Sequence, residues 1–443
     1  MTGSSFEAEL EAARRRHRAG EAGPAAAIYR RLQAQDPSHP EPWHLLAVVA
    51  HQQGAQEQAL ALADAAIARD PGRAQYHNTR GGALRLLNRL AEARDAYRHA
   101  HDLDPGTALY ATNLSVVLLE GGAAGEALAL AERALDAGGA ADPAALNSHA
   151  LALQALDRLP EALASLERLA AVAPDFADGQ SNRRVVLLQL GRTAAAREAA
   201  QDWLARAPAD RDALTHLAAA LAQGGAAEAL DDLVRLDGHL QAVVPDLPGG
   251  AVPDAAFNAA LAAHCLGHPT LQADRHGKAT AAGRQTDDLT VGAPPQLHAL
   301  LAGLDRAARQ AAAAHAGAAP AHPWAGHPPR DWRMRVWATV LHQGGHQRPH
   351  THPAGWMSGV YYVQVPGIDA VAVPPGTGGE RAGWIEFGRP DPALRVQRGF
   401  RLRDVQPVAG QALLFPSYFW HRTHSFAGKG YRISIAFDFI PTA

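Results

Sequence analysis

The chain predicts two parts of different fold class: an α-helical solenoid, followed by a double-stranded β-helix (jelly-roll) domain with flanking helices. Three observations predict this division. Prolines recur at a fixed spacing through the first half. A cluster of proline and glycine, Pro245 to Pro253, follows the point where that spacing stops. From Arg333 onward the hydrophobic pattern alternates, which is the period of strands and not of helices. The expected organisation is a helical repeat domain over 1–238, a linker over 239–253 and a β domain over 254–443.

The repeat is carried by Pro37, Pro71 and Pro105, spaced by 34, and by Pro174 and Pro208, also spaced by 34. Pro143 falls between them, which predicts a four-residue insertion in the turn Gly138-Gly139-Ala140-Ala141. Residue types agree with the period. Trp43, Leu46, Ala47, Ala59, Ala63 and Ala66 are answered one period later by His77, Arg80, Gly81, Ala93, Tyr97 and Ala100. Small residues (Ala59, Gly81, Ala93, Ala127, Ala162) mark the close approach of two helices. Gly54, Gly122 and Gly191 mark the turns, where left-handed geometry is needed. This pattern resembles tetratricopeptide-repeat (TPR) proteins. It gives about six helix pairs between 6 and 208 and a partial one from Asp210 to Gly238. The resemblance implies a peptide- or protein-binding superhelix, or else a spacer or assembly element.

Past the linker, Asp254 to Cys265 predicts a helix capped by Asp254. Gly277 to Thr286 predicts a loop, and Pro295 to Ala316 a long helix ended by Gly317. His315, His322 and His327 lack metal-ligand spacing and are expected at the surface. Strands are expected over 334–341, 358–365, 383–387, 410–416 and 431–440.

The chemistry concentrates in this second half. His350 and His352 are two apart, so a strand edge aims both at one point. His421 follows a hydrophobic strand, and Arg432-x-Ser434 opens the last one, where both side chains share a face. By the same parity Ser358, Val360 and Tyr362 share a face and Tyr361 takes the other. Together these residues predict a metal site beside an anion-binding arginine, whose planar fork suits a carboxylate. His342 and His346 are assigned structural roles and His424 a solvated one.

The segment from about Asp254 to Ile440 resembles the non-haem iron, 2-oxoglutarate-dependent oxygenases, in the bacterial branch related to prolyl hydroxylases. The resemblance rests on Gly283-Arg284-Gln285-Thr286, Pro349-His350-Thr351-His352-Pro353, Ser358-Gly359-Val360-Tyr361-Tyr362, Gly410 with Leu414-Phe415-Pro416 and His421, and Arg432-Ile433-Ser434. It implies iron(II), 2-oxoglutarate as cosubstrate and O2. It places His350 and His421 on the metal, and Arg432 and Tyr362 on 2-oxoglutarate, where Ser434, on the face of Arg432, can add a hydrogen bond; His352 is either the third metal ligand or turned away with water in its slot. The family's proximal pair is usually His-x-Asp, and here His352 stands in the carboxylate position. Asp369 and Asp391 are expected in loops and Asp438 at the end of the last strand, so none is assigned to the triad. Zinc also accepts three histidines with an open position, and Arg432 is the feature that favours iron.

Composition narrows the partners. The net charge is −3 and no basic stripe points to nucleic acid. The apolar runs are too short and interrupted to span a membrane. The one cysteine, Cys265, excludes a disulfide framework and fits a reduced, cytoplasmic setting, as does an N-terminus without a signal-like apolar core. The expected activity is hydroxylation of a peptide or protein presented by the repeats. The alternatives are a TPR scaffold with a degenerate metal-binding domain and a small-molecule oxygenase. The sequence sets neither the substrate nor the oligomeric state.

Overall fold

The structure is a computed structural model that describes residues 3–136, 141–273, 279–365, 381–426 and 430–442. Of the residues singled out above, Gly138, Gly139, Ala140, Gly277 and Asp369 lie outside these. The chain divides into two compact units, Met1–Asn182 and Arg183–Ala443, with the dividing line inside the helix Ala177–Gln189.

Along the chain, helices alternate as the repeat predicts: Gly3–Arg18 with Ala22–Gln35, Pro40–Gln52 with Gln56–Ile67, Ala74–Leu86 with Leu90–Leu103, Ala108–Glu120 with Ala124–Ala134, Pro143–Ala155 with Leu159–Val172, and Ala177–Gln189 with Thr193–Arg206. A seventh pair, Arg211–Gly224 and Ala227–Val234, completes what the sequence predicted as partial. Each turn inside a pair is closed by a residue of positive φ: Gly20, Gly54, Asn88, Gly122, Asp157, Gly191 and Gly225. Asn88 and Asp157 take the glycine slot because they tolerate left-handed geometry best among residues with a side chain. These seven positions correct the predicted insertion. Gly122 to Asp157 is 35 residues where the others are 34, so one residue is added and not four. Pro143 is not the repeat proline displaced. It is the first residue of its own helix, behind Asp142, whose Oδ1 accepts from the Ala145 amide at 2.7 Å.

The small residues of the repeats are buried as packing requires. Ala59, Ala93, Ala127 and Ala162 are fully covered, and a β-carbon at Gly81 would lie 2.8 Å from the Tyr97 ring. Neighbouring pairs are tied by polar bridges between positions 35 apart: His44 to Thr79 (3.0 Å), Asn78 to Asn113 (2.7 Å) and Asn147 to Asn182 (2.8 Å).

The second unit contains a curled antiparallel sheet. Its strands are β1 (Gln241–Val243), β2 (Gln272–Ala273), β3 (Thr280–Gln285), β4 (Trp332–His350), β5 (Met357–Gln364), β6 (Ile385–Phe387), β7 (Arg403–Val405), β8 (Ala412–Pro416), β9 (His421–Thr423) and β10 (Arg432–Pro441). The order is β1-β8-β5-β10-β4-β9-β6-β7, with β3 also on β4 and β2 on β3. The 19-residue β4 serves two neighbourhoods. Its first half pairs with β10 and its end pairs with β9, with a register shift between Gln347 and His350. Bends of this kind let one strand pass round a curled sheet.

Several local expectations change here. Residues 239–253, read as linker, contribute β1, which pairs with Ala412–Leu414 of β8. The stretch read as a loop before Thr286 is β3. Its Gly283 hides the strand signal because close approach demands it: a β-carbon there would lie 2.6 Å from Leu341 Cδ2. Asp254 caps the helix Ala255–Gly267, accepting from the Phe257 amide at 2.7 Å. Gly317 does not end the long helix, which runs Pro295–Ala318. His315 and His322 are buried, not surface residues, and share a cluster with His239 and Trp324. His322 sits there because its Nε2 reaches the Leu233 carbonyl at 2.9 Å, while its Nδ1 accepts from the Trp324 and Ala325 amides.

Within this unit the pair Arg211–Gly224 and Ala227–Val234 is seated on the sheet. Thr215 donates to the Tyr418 carbonyl at 3.1 Å, and the Tyr418 hydroxyl donates to the Leu233 carbonyl at 2.7 Å. Arg401 binds both oxygens of Asp231, at 2.6 and 2.7 Å.

Candidate metal centre

β4, β9 and β10 converge on one cavity. His350, the last residue of β4, is paired with His421, the first of β9. His352 lies past the strand end, where its amide donates to the Ser417 carbonyl at 2.9 Å. Strand parity is therefore not what aligns the two proximal histidines: the bracket Pro349–Pro353 carries the chain off the strand, and a backbone hydrogen bond holds the second ring. The three rings still meet. Their centroids are 4.2 Å (His350–His421), 5.1 Å (His350–His352) and 5.1 Å (His352–His421) apart. One nitrogen from each lies within 4.8 Å of the others.

Each ring is held by Nδ1. His350 Nδ1 lies 2.8 Å from the Arg348 carbonyl and His421 Nδ1 3.0 Å from the Phe419 carbonyl. His352 Nδ1 lies 2.9 Å from Asp438 Oδ1. Carbonyl and carboxylate oxygens only accept, so Nδ1 carries the proton in all three and Nε2 keeps its lone pair. Burial pushes His350 down to about 3. Burial, together with His350 and His352 alongside, pushes His421 well below the ordinary imidazole range. Neutral imidazoles with free Nε2 atoms are what a divalent metal takes.

Arg432 and Ser434 line the same cavity. Arg432 is 1% exposed, and its Nε and Nη1 have no hydrogen-bond partner among the described residues. Burial disfavours its charge. Tyr362 stands opposite Ser434 in the sheet, with its ring centroid 5.1 Å from the Arg432 guanidinium carbon. Its buried hydroxyl faces Arg432 and has no other partner among the described residues. Tyr361 takes the other face, donating to Asn258 Oδ1 at 2.6 Å. A buried guanidinium with two of its nitrogens unpaired is costly unless an anion completes it. These orphaned donors fit a small carboxylate ligand beside the three imidazoles.

The other histidines stand apart. His342 and His346 do not line the cavity. His424 is not solvated as expected: its Nε2 lies 2.7 Å from Asp404 in a charged group with Glu386. Glu386 in turn holds Arg389 and Arg422, so arginines already neutralise that cluster. The sequence placed Asp438 at the end of the last strand with no part in the triad and left Trp337 without a site role; Asp438 lies inside β10, against His352. Asp438 shares parity with Arg432 and Ser434, which was the available signal. Trp337 stacks on His352 at 5.5 Å and 18°, and nothing local in the sequence marks it.

Along the chain, TPR-like helix pairs precede a curled sheet that holds three imidazoles and a buried arginine, and family models match a segment of each part. Residues 335–438 match the family described as "Putative 2OG-Fe(II) oxygenase", and residues 17–81 match the tetratricopeptide repeat. No curated protein matches. Solved structures similar to the chain include a thermophilic TPR protein of Thermus thermophilus (22% identity, 41% of this chain and 99% of that one, TM-score 0.36). Two others are the Pseudomonas aeruginosa protein PilF (20%, 46% and 93%, 0.41) and the type IV pilus biogenesis factor PilW (21%, 47% and 96%, 0.43). Among the described residues no helix is long and apolar enough to cross a membrane.

Proposed function

We propose that the protein is a non-haem iron(II), 2-oxoglutarate-dependent oxygenase that hydroxylates a peptide or protein substrate brought to it by the repeats. The observation that supports this is Arg432, buried with two unpaired donors in the cavity that the three histidines share. His350, His352 and His421 would hold iron through Nε2, and Arg432 would take the distal carboxylate of 2-oxoglutarate with help from Ser434 and Tyr362. When bound, iron, 2-oxoglutarate and O2 supply the oxidising chemistry that places oxygen on an unactivated carbon and releases succinate and carbon dioxide. The chain does the rest. Arg432 fixes the cosubstrate by a charge-assisted, two-pronged contact. Trp337, Phe415 and Ile385 give the cavity apolar walls. The Nδ1 acceptors keep the three rings in one tautomer.

Anaerobic loading with iron(II), followed by 2-oxoglutarate and air, tests the reading through succinate release, measured with and without candidate peptides. Release above the metal-free control supports it. The second reading, a TPR scaffold with a degenerate metal domain, draws on His352 in the carboxylate position. It is favoured if iron and 2-oxoglutarate bind and no succinate forms. A third, a small-molecule oxygenase, is favoured if turnover needs no peptide.

A further inference from the structure

His352 removes the carboxylate that the resembled family places on the metal, yet a carboxylate stands directly behind it. Asp438 Oδ1 and Oδ2 lie 2.9 and 3.1 Å from His352 Nδ1. Asp438 is 4% exposed, and Ser358 Oγ donates to its Oδ1 at 2.6 Å. Its place follows from the sheet: in β10 it pairs with Ser358 of β5, on the face that Arg432 and Ser434 also use. Trp337 and His421 lie nearly parallel to the His352 ring, at 18° and 19°, and hold its plane.

We infer that Asp438 is the positioning residue of this centre, supplying through His352 the negative charge that the usual triad supplies by direct ligation. This rests on the reading of the three histidines as metal ligands. Three neutral imidazoles alone would leave a bound divalent cation one charge more positive than two imidazoles and a carboxylate. A buried aspartate on Nδ1 returns that charge one ring further out. It also fixes the proton on Nδ1 and raises the basicity of Nε2. Neither Arg348 nor Phe419 can do this for the other two rings, because a carbonyl carries no net charge. The chain therefore differs from the His-x-Asp pattern in where its carboxylate sits, not in whether it has one.

The test uses the full-length metal-free protein and cobalt(II), whose absorption reports the ligand set without turnover. The parent is expected to bind one cobalt, and His350→Ala to lose it. Asp438→Asn is expected to weaken cobalt binding by about 10–100-fold, the range seen when an outer partner of a ligating histidine is removed. In a His352→Asp background the direct carboxylate is restored, so Asp438→Asn should then leave affinity unchanged or improve it. A purely structural Asp438 would give the same loss in both backgrounds. Should the substituted proteins not fold, nitrogen-15 histidine spectra of the unsubstituted apoprotein still decide, since His352 must show a protonated Nδ1. The inference is overturned if Asp438→Asn binds cobalt within about threefold of the parent, far short of that range, or if His352 carries its proton on Nε2. A parent that binds no cobalt overturns the underlying reading as well.

Discussion

Two arginines separate the helical region from the sheet. Arg184 and Arg432 are each 1% exposed and are among the largest fully buried side chains. Arg184 has a counter-charge in its own region: Nη2 lies 3.4 Å from Asp212 and Nε donates to His216 Nδ1 at 3.3 Å, although its Nη1 also lacks a partner. Arg432 makes no salt bridge among the described residues, and two of its donors are unpaired. A buried cation with its own counter-charge is part of the packing. One without is held by the surrounding fold in a state that a ligand relieves.

The sharpest break of this comparison exchanges both for methionine. Arg432→Met should weaken 2-oxoglutarate binding by about 2–5 kcal/mol, roughly thirty- to several-thousand-fold, with metal affinity retained. Its melting temperature should hold or rise, because an unpaired buried charge is gone. Arg184→Met should do the reverse, leaving 2-oxoglutarate binding intact and costing about 1–3 kcal/mol of stability. Calorimetric titration with metal saturating, alongside thermal melts, reads both. Equal effects of the two substitutions on ligand binding would erase the distinction.

Acid distinguishes the regions next. Burial holds His44 and His216 near about 4 in the helical region. An unfolded histidine binds a proton below about 6.5, while these stay neutral until about 4, so the unfolded state takes up more protons in that window. Their contribution is present above about 6.5 and is lost as pH falls toward 4, at no more than about 1.4 kcal/mol per pH unit for each. Urea melts between pH 7 and 4 should show this with or without metal. Metal on the histidine triad would add stability across this whole window, because burial keeps His350 and His421 neutral well below it and the metal binds only the folded state. The difference between apo and loaded melts isolates it, and identical curves would show that the triad holds no metal.

Glycines extend the contrast to packing. A β-carbon at Gly359 would strike the Phe437 ring and lie 2.7 Å from the Leu413 carbonyl, while at Gly81 its nearest neighbour is the Tyr97 ring at 2.8 Å. Gly359→Ala should therefore reach the upper part of the roughly 1–3 kcal/mol range for overpacking, and Gly81→Ala the lower part. Denaturant midpoints would order them. The smallest effect is expected at the helix caps. Asp142→Ala and Asp254→Ala each remove one side-chain cap and should cost about 0.5–2 kcal/mol alike in either region.

The helical region was legible because its signal repeats. A proline three residues ahead of a helix and a left-handed residue inside each pair recur until chance is excluded. What escaped was the equivalence of Asn88 and Asp157 to glycine, which residue identity hides and backbone geometry shows. The convergence of the candidate residues was legible, since His350, His352, His421 and Arg432 do line one cavity. Their supporting shell was not. The meeting of Asp438 with His352 depends on β10 lying between β4 and β5, a register set by long-range pairing that no local spacing encodes. Gly283 misled for a related reason: it is small because Leu341 lies against it, and Leu341 is 58 residues away in sequence.

The three-residue strand β1 has a consequence for anyone who divides this chain. It covers the outer edge of β8, so the backbone of Ala412–Leu414 is paired on both sides, by β1 and by β5. A fragment starting at residue 254 would bare that edge along Ala412-Leu413-Leu414, an apolar stretch with open amide and carbonyl groups. Bare edges of this kind recruit strands from other molecules, and such a fragment should self-associate or precipitate. Extending it back through Gln241 restores the guard strand, so the protective element of the β domain lies in what looks, on sequence, like its tether.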